Sequence, residues 1–181
     1  MKAFKMSTNV TKLIVMGLDN AGKTSIILSL TKKANLLDFC SIKPTQGLNI
    51  VNIDDDPYMK FNIWDFGGQE GYRGDYFKKM DDYLVDVERF IYVIDTQDPE
   101  RYELALQYLT DLIQTLKNSQ KKLELSIFLH KCDPSFDLEN TFHNRIQVKL
   151  IDIIRKIIPS QFKFKIFKTS VYTVFKKKIV E

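Results

Sequence analysis

Residues 11–24 read Thr-Lys-Leu-Ile-Val-Met-Gly-Leu-Asp-Asn-Ala-Gly-Lys-Thr, and this stretch decides the fold. The apolar run Thr11–Met16 reads as a buried strand that stops at Gly17. Gly17 to Thr24 then fits G-x-x-x-x-G-K-T, and the segment Lys23–Lys32 has helical character. A glycine loop between a strand and a helix lets successive backbone N–H groups point at phosphate oxygens, with the positive end of the helix dipole behind them. In that geometry Lys23 is expected to bridge the β- and γ-phosphates of a nucleotide, and the Thr24 hydroxyl to ligate Mg²⁺.

Working outward, Leu48–Ile53 and Met59–Trp64 read as two strands of a hairpin around Asp54–Pro57. Phe90–Ile94 and Leu123–Leu129 are β-branched and aromatic runs suited to a central sheet. Between them a helix is expected over about Pro99–Asn118, with Leu104, Tyr108, Leu112 and Leu116 on one face and Leu109 and Ile113 beside them. A second covers Leu138–Ile157, its stripe set by Phe142, Ile146, Leu150, Ile153 and Ile157, and Phe162–Phe167 reads as the last strand. Strands alternating with helices imply right-handed βαβ crossovers. The expected fold is therefore a three-layer α/β/α domain with a mostly parallel sheet.

Three further motifs follow the phosphate loop in order. In Trp64-Asp65-Phe66-Gly67-Gly68-Gln69, Asp65 ends a strand where a carboxylate can hold Mg²⁺. The Gly68 N–H can meet a γ-phosphate, and Gln69 can orient a water for attack. In His130-Lys131-Cys132-Asp133 the carboxylate can accept paired hydrogen bonds from guanine N1–H and N2–H, with the Lys131 stem along the base. Lys168-Thr169-Ser170-Val171 can bring backbone N–H groups to the base O6.

These motifs in this order, from about Leu13 to Ile179, resemble the Ras-superfamily small GTPases. GLDNAGKT and WDFGGQ are similar to the Arf family. FIYVIDTQD (Phe90–Asp98), IFLHKCD (Ile127–Asp133), TSVY (Thr169–Tyr172) and the short spacing from Gln69 to Tyr76-Phe77 are similar to the Rag/Gtr GTPases. The resemblance implies a six-stranded P-loop domain filling 1–181, with GTP or GDP held by Asp19, Asn20, Ala21, Gly22, Lys23, Thr24 and Ser25. Thr45, Gly68, His130, Lys131, Asp133, Ser170 and Val171 complete the implied nucleotide site. Mg²⁺ would sit on Thr24, Thr45 and Asp65, and Lys23 with Gln69 would carry the hydrolysis of GTP. Lys43–Gly47 becomes switch I, and switch II begins at Gly67 and runs through a mobile Gly71–Gly74. Leu48 and Trp64 fall on the hairpin between the switches, as effector surface or as packing. Effectors, exchange factors and GTPase-activating partners would meet the switches, and Rag proteins act in dimers. The alternative reading is a Rag-like scaffold that chooses partners by nucleotide state and barely hydrolyses.

The chain departs from the pattern in places. His130 stands where the family has Asn, which ties this loop to the phosphate loop, so weaker nucleotide binding is expected. Lys23 to Thr45 is 22 residues, longer than in Arf proteins, and Gln46 stands where Arf proteins carry an apolar residue. No residue is an evident arginine finger in cis, although Arg73 lies in switch II and could swing in.

Composition excludes other classes. Of the 181 residues, 44% are hydrophobic and 28% charged, an ordinary globular balance. The net charge of +4 is concentrated late: from Arg155 onward eight basic residues face only Glu181, leaving −3 for the rest. The run Lys176–Lys178 reads as a solvated face of a last helix, and nucleic acid is not an expected partner. No apolar run reaches the roughly 18 residues of a membrane span. Lys2 stands where myristoylation needs glycine, and Ile179-Val180-Glu181 is no prenylation box. Cys40 and Cys132 do not make a disulfide framework, which fits a reducing, cytoplasmic setting, with peripheral contact at membranes compatible. The length is expected to leave room for neither a Rag-type dimerisation domain nor an Arf-type membrane helix.

Overall fold

A computed structural model describes residues 10–31, 34–54, 60–119, 121, 123–134 and 141–172, with the side chains of 141–146 not included. The strands are β1 (Val10–Gly17), β2 (Leu48–Ile53), β3 (Lys60–Phe66), β4 (Val87–Asp95), β5 (Glu124–His130) and β6 (Phe164–Lys168). They form one six-stranded sheet in the order β2-β3-β1-β4-β5-β6, with β2 antiparallel to β3 and every other pair parallel. Helices are α1 (Lys23–Ser29), α2 (Leu36–Cys40), α3 (Glu70–Lys78), α4 (Met80–Tyr83), α5 (Tyr102–Asn118) and α6 (Thr141–Ile157), with a 3-10 turn at Pro99–Arg101. The expected α/β/α architecture is present.

The core follows from sequence pattern. Ile14, Met16, Phe90, Tyr92, Ile127 and Leu129 are fully enclosed because β1, β4 and β5 are covered on both faces. One cluster lies beneath α5 and α6, and a smaller one joins Leu13, Val15 and Ile63 to Ile26 and Ile27 of α1. Each fully buried aliphatic contributes about 1.5–3 kcal/mol.

Two expected helix faces are corrected. On α5 the buried row is Ala105, Tyr108, Leu109, Leu112, Ile113 and Leu116, while Leu104 is 44% exposed. A strict i+4 row drifts around a 3.6-residue helix, so its first member leaves the core and Ala105 replaces it. On α6 Gln147, Leu150 and Ile154 are buried, with Ile158 just past the helix end. Leu150 stands as expected and Ile157 packs partly buried on the core, while Ile154 takes the place of Ile153, which is exposed. The expected segments at 55–59, 138–140 and 176–178, and the side chains of Phe142 and Ile146, lie outside the described residues.

The sequence reading omits three short helices. Asn35 caps α2 by accepting from the N–H groups of Leu37 and Asp38, and Asp38 returns a bond to the Asn35 N–H. The helix α3 contains Gly71–Gly74, the stretch expected to be mobile, and α4 follows it directly.

Candidate nucleotide site

The register sets the carboxyl ends of the central strands side by side. Val15 pairs with Asp65, Gly17 with Val93, and Asp95 with His130. Ligand crevices of open α/β sheets form at this edge.

At one end lies a cleft of about 220 Å³. The predicted residues Asp19, Asn20, Gly22, Lys23, Thr24, Ser25, Thr45, Gly68 and Gln69 all line it, together with Lys43. Ala21 does not; its methyl is buried in the core under α1. Lys23 is buried, and its Nζ donates to the carbonyls of Gly17 and Leu18 at 3.1 and 2.7 Å. The loop thus wraps its own cation. Burial lowers the Lys23 pKa to about 8, against the attraction of Asp65 and Asp19.

Three oxygens converge beside this ammonium. Thr24 Oγ1 donates to Asp65 Oδ2 at 2.7 Å, Thr45 Oγ1 reaches the same oxygen at 3.1 Å, and the two hydroxyls lie 3.0 Å apart. Asp65 is fully buried, and its other oxygen, Oδ1, has no hydrogen-bond partner. Burial raises the Asp65 pKa, while the Thr24 bond, the Lys23 charge and the Thr45 bond oppose it. An unpartnered buried carboxylate oxygen beside two hydroxyls is a hard-oxygen set that fits Mg²⁺. The predicted cation residues are therefore together, Thr45 among them despite its long spacing from Lys23.

Glycines allow this closure. A Cβ on Gly68 would sit 2.1 Å from the Asp19 backbone nitrogen, so no other residue brings that strand end against the phosphate loop. At Gly22, φ is +88° and a Cβ would lie 2.4 Å from the His130 ring.

His130 thus packs on the phosphate loop, as the resemblance implies for Asn at this position. Its Nδ1 lies 3.0 Å from Thr169 Oγ1, and its backbone carbonyl accepts from both the N–H and the hydroxyl of Thr96. Burial, then the Lys131 charge, lowers its pKa, so the ring is neutral at pH 7.

The second end of the crevice gathers the base-reading candidates. Ser170 Oγ donates to Asp133 Oδ1, and Gln97 Nε2 donates to Asp133 Oδ2 at 3.2 Å and to the Lys131 carbonyl at 2.8 Å. Lys131 adopts φ +63° and its Nζ pairs with Asp95 at 2.7 Å. Backbone bonds from Cys132 to Thr169 and from Thr169 to Leu129 lock the two loops together. Val171 is exposed beside Ser170. Sequence reasoning missed Asp95, Gln97 and Arg101; the signal was the polar run Asp-Thr-Gln-Asp directly after the apolar strand Phe90–Ile94.

The two segments expected to be switches touch. Gly67 N donates to the Gly47 carbonyl at 2.8 Å, and Arg73 Nε donates to the Gly68 carbonyl at 3.0 Å while its guanidinium lies over the Tyr108 ring. Trp64 is half-buried: Tyr83 meets its edge, Lys12 Nζ sits 3.9 Å above its ring, and its Nε1 donates to Asn62. Of the two readings for Trp64, packing accounts for these contacts.

Comparisons with known proteins agree with this geometry. A family model described as the Gtr1/RagA G protein conserved region matches residues 12–178. The chain is 35% identical over 132 residues to ADP-ribosylation factor-like protein 3 of Chlamydomonas reinhardtii, covering 73% of this chain and 68% of that one. It is 31% identical over 134 residues to ADP-ribosylation factor-like protein 3 of Caenorhabditis elegans, covering 74% and 67%. Among solved structures, the Arl6 BBS3 small GTPase of Trypanosoma brucei with bound nucleotide analogue GppNp aligns at TM-score 0.66. That alignment covers 90% of this chain and 87% of the other at 20% identity, a likeness of fold.

Proposed function

The chain belongs to the Gtr1/RagA G-protein family and is an Arf/Rag-type small GTPase; from that premise we propose that it is a GTP-operated switch that hydrolyses GTP to GDP and phosphate. The observation that carries this reading is the meeting of Thr24, Thr45 and Asp65 oxygens beside the buried Lys23. The Asp133 cluster lies at the other end of the same crevice.

In this reading the whole of 1–181 serves as one GTPase domain. The loop Asp19–Ser25 wraps the phosphates, with Lys23 against the β- and γ-groups. Asp133, Lys131 and Ser170 read guanine, His130 braces their loop on Gly22, and Val171 flanks the base. Thr24, Thr45 and Asp65 would hold Mg²⁺, which when bound would neutralise phosphate oxygens. Gly68 donates its N–H to the γ-phosphate and Gln69 orients the water that attacks it. The γ-phosphate holds Thr45 and Gly68, and its departure releases switch I and switch II to change partners. Effectors, exchange factors and activating proteins meet these segments. We place the protein in the cytoplasm, with peripheral contact at membranes; among the described residues no helix is long and apolar enough to cross one.

Arg73 favours slow intrinsic turnover. Its guanidinium is already engaged, by the Gly68 carbonyl and the Tyr108 ring. A partner that supplies an arginine would accelerate hydrolysis about 10³- to 10⁵-fold. The same observation supports the second reading, a scaffold that signals by bound nucleotide with little hydrolysis of its own.

The test is to denature the purified protein and identify its released nucleotide by ion-pair chromatography. GTP or GDP is expected; adenine nucleotide, or none together with no binding of added GTP, overturns the reading. Multiple-turnover assays with and without candidate partners then separate switch from scaffold.

A further inference from the structure

Asp19 brings a carboxylate into the wall of the cleft that the proposed triphosphate occupies. A negative charge there opposes phosphate binding. Unlike Asp65, it is not enclosed by hydroxyls: its side chain is 46% exposed. Arg101 meets it from 82 residues further along the chain. From the 3-10 turn after β4, Arg101 Nη1 donates to Asp19 Oδ1 at 3.2 Å, while its Nε is fixed on Asp98 Oδ2. Leu18, Ala21, Ile94 and Ala105 lie beneath this arrangement. The guanidinium is forked: Asp98 sets its direction, and the other arm holds the loop carboxylate.

Ion pairs this exposed add little to stability. Their field still acts on a ligand a few ångströms away. Resting on the nucleotide reading, we propose that Arg101 is a positioning residue that neutralises the phosphate loop's own carboxylate and so lets the cleft accept a nucleoside triphosphate. Gly68, the candidate γ-phosphate donor, lies directly against the Asp19 backbone nitrogen. Asp19 therefore stands at the γ-phosphate end, and its charge matters more for GTP than for GDP.

The test measures binding of fluorescent GDP and of a non-hydrolysable GTP analogue to the full chain, at low and high salt. Arg101→Gln is expected to weaken the GTP analogue about tenfold at low salt and GDP less, with the gap narrowing as salt screens the charge. Asp19→Asn is expected to bind the GTP analogue at least as tightly as wild type. The double variant restores the wild-type charge balance and should recover to within about threefold, and Arg101→Lys should keep most of the affinity. A purely structural brace gives another pattern: both single changes weaken binding and the double does not recover. That pattern, or an unchanged Arg101→Gln protein, overturns the proposal. Should Arg101→Gln alone fail to fold, Asp19→Asn decides, since weakened binding there overturns the idea and equal or tighter binding supports it. Wild-type protein that binds no guanine nucleotide would instead overturn the nucleotide reading, and this inference with it.

Discussion

The hydroxyl of Tyr76 donates to the backbone carbonyl of Gly47 at 2.9 Å. The same carbonyl accepts the Gly67 N–H, so one oxygen of the proposed switch I is held by two groups of the segment that begins at Gly67. Tyr76 is buried against Phe66, and burial pushes its hydroxyl up to about 12, which keeps it a donor at any physiological pH. Tyr76→Phe keeps the ring and removes the donor, at a cost of about 1 kcal/mol. Dissociation of a non-hydrolysable GTP analogue should quicken about fivefold, with GDP release less affected. Stopped-flow release of labelled nucleotides checks this; equal rates in both proteins would show that the bond does not couple the switches.

Gln69 is the residue from which α3 starts, and it lines the phosphate cleft. Gln69→Leu removes the amide proposed to orient water and leaves the other residues of the proposed nucleotide site unchanged. Single-turnover hydrolysis should fall about a hundredfold or more while bound GTP persists. Unchanged hydrolysis would remove Gln69 from the mechanism.

The fold was legible because periodicity and chemistry coincide along this chain. Buried strands with Gly17, Asp65 and His130 at or next to their ends announce both the sheet and its candidate functional edge. Phase was less legible: Leu104 and Ile153 look like core members in sequence, yet lie outside because a helix turns about 100° per residue. The contacts of Arg101 and Gln97 were not legible at all. Their partners, Asp19 and Asp133, are separated from them by 82 and 36 residues, and only the sheet order brings them together. Local pattern also hid α3, whose Gly71 and Gly74 read as loop residues although tertiary contacts through Tyr76 hold the helix in place.

His130 offers a test of subtype chemistry. Its neutral ring packs against Gly22 with Nδ1 engaged at Thr169, so it has one remaining nitrogen for the phosphate loop or the base. Asn supplies both a donor and an acceptor. His130→Asn should tighten GDP binding about fivefold, read by isothermal titration. The stability consequence has a definite sign. With its folded pKa depressed, His130 stays neutral where the unfolded chain is protonated, so its contribution is lost as pH falls below about 6.5. Denaturant unfolding at about pH 7 and about pH 5.5 should show a smaller acid loss in the variant. Equal affinity would sink the binding claim, and equal acid loss would sink the titration claim.

The buried Lys23 ties nucleotide affinity to pH. Without ligand its ammonium titrates near 8, because burial outweighs the pull of Asp65 and Asp19. Phosphate oxygens add negative charge against it, so binding favours the protonated form and draws in a proton whenever the free protein has lost it. Affinity for GDP should then fall about tenfold between about pH 7.5 and about pH 9. The free protein moves the opposite way: its unfolded chain holds the Lys23 proton up to the ordinary lysine value of 10.5, so this group's contribution makes the fold more stable as pH rises from about 8. Calorimetry in two buffers of different ionisation enthalpy at about pH 8.5 measures the proton directly. Uptake approaching one proton per GDP bound is the expected result, and no uptake would place the Lys23 titration outside this range.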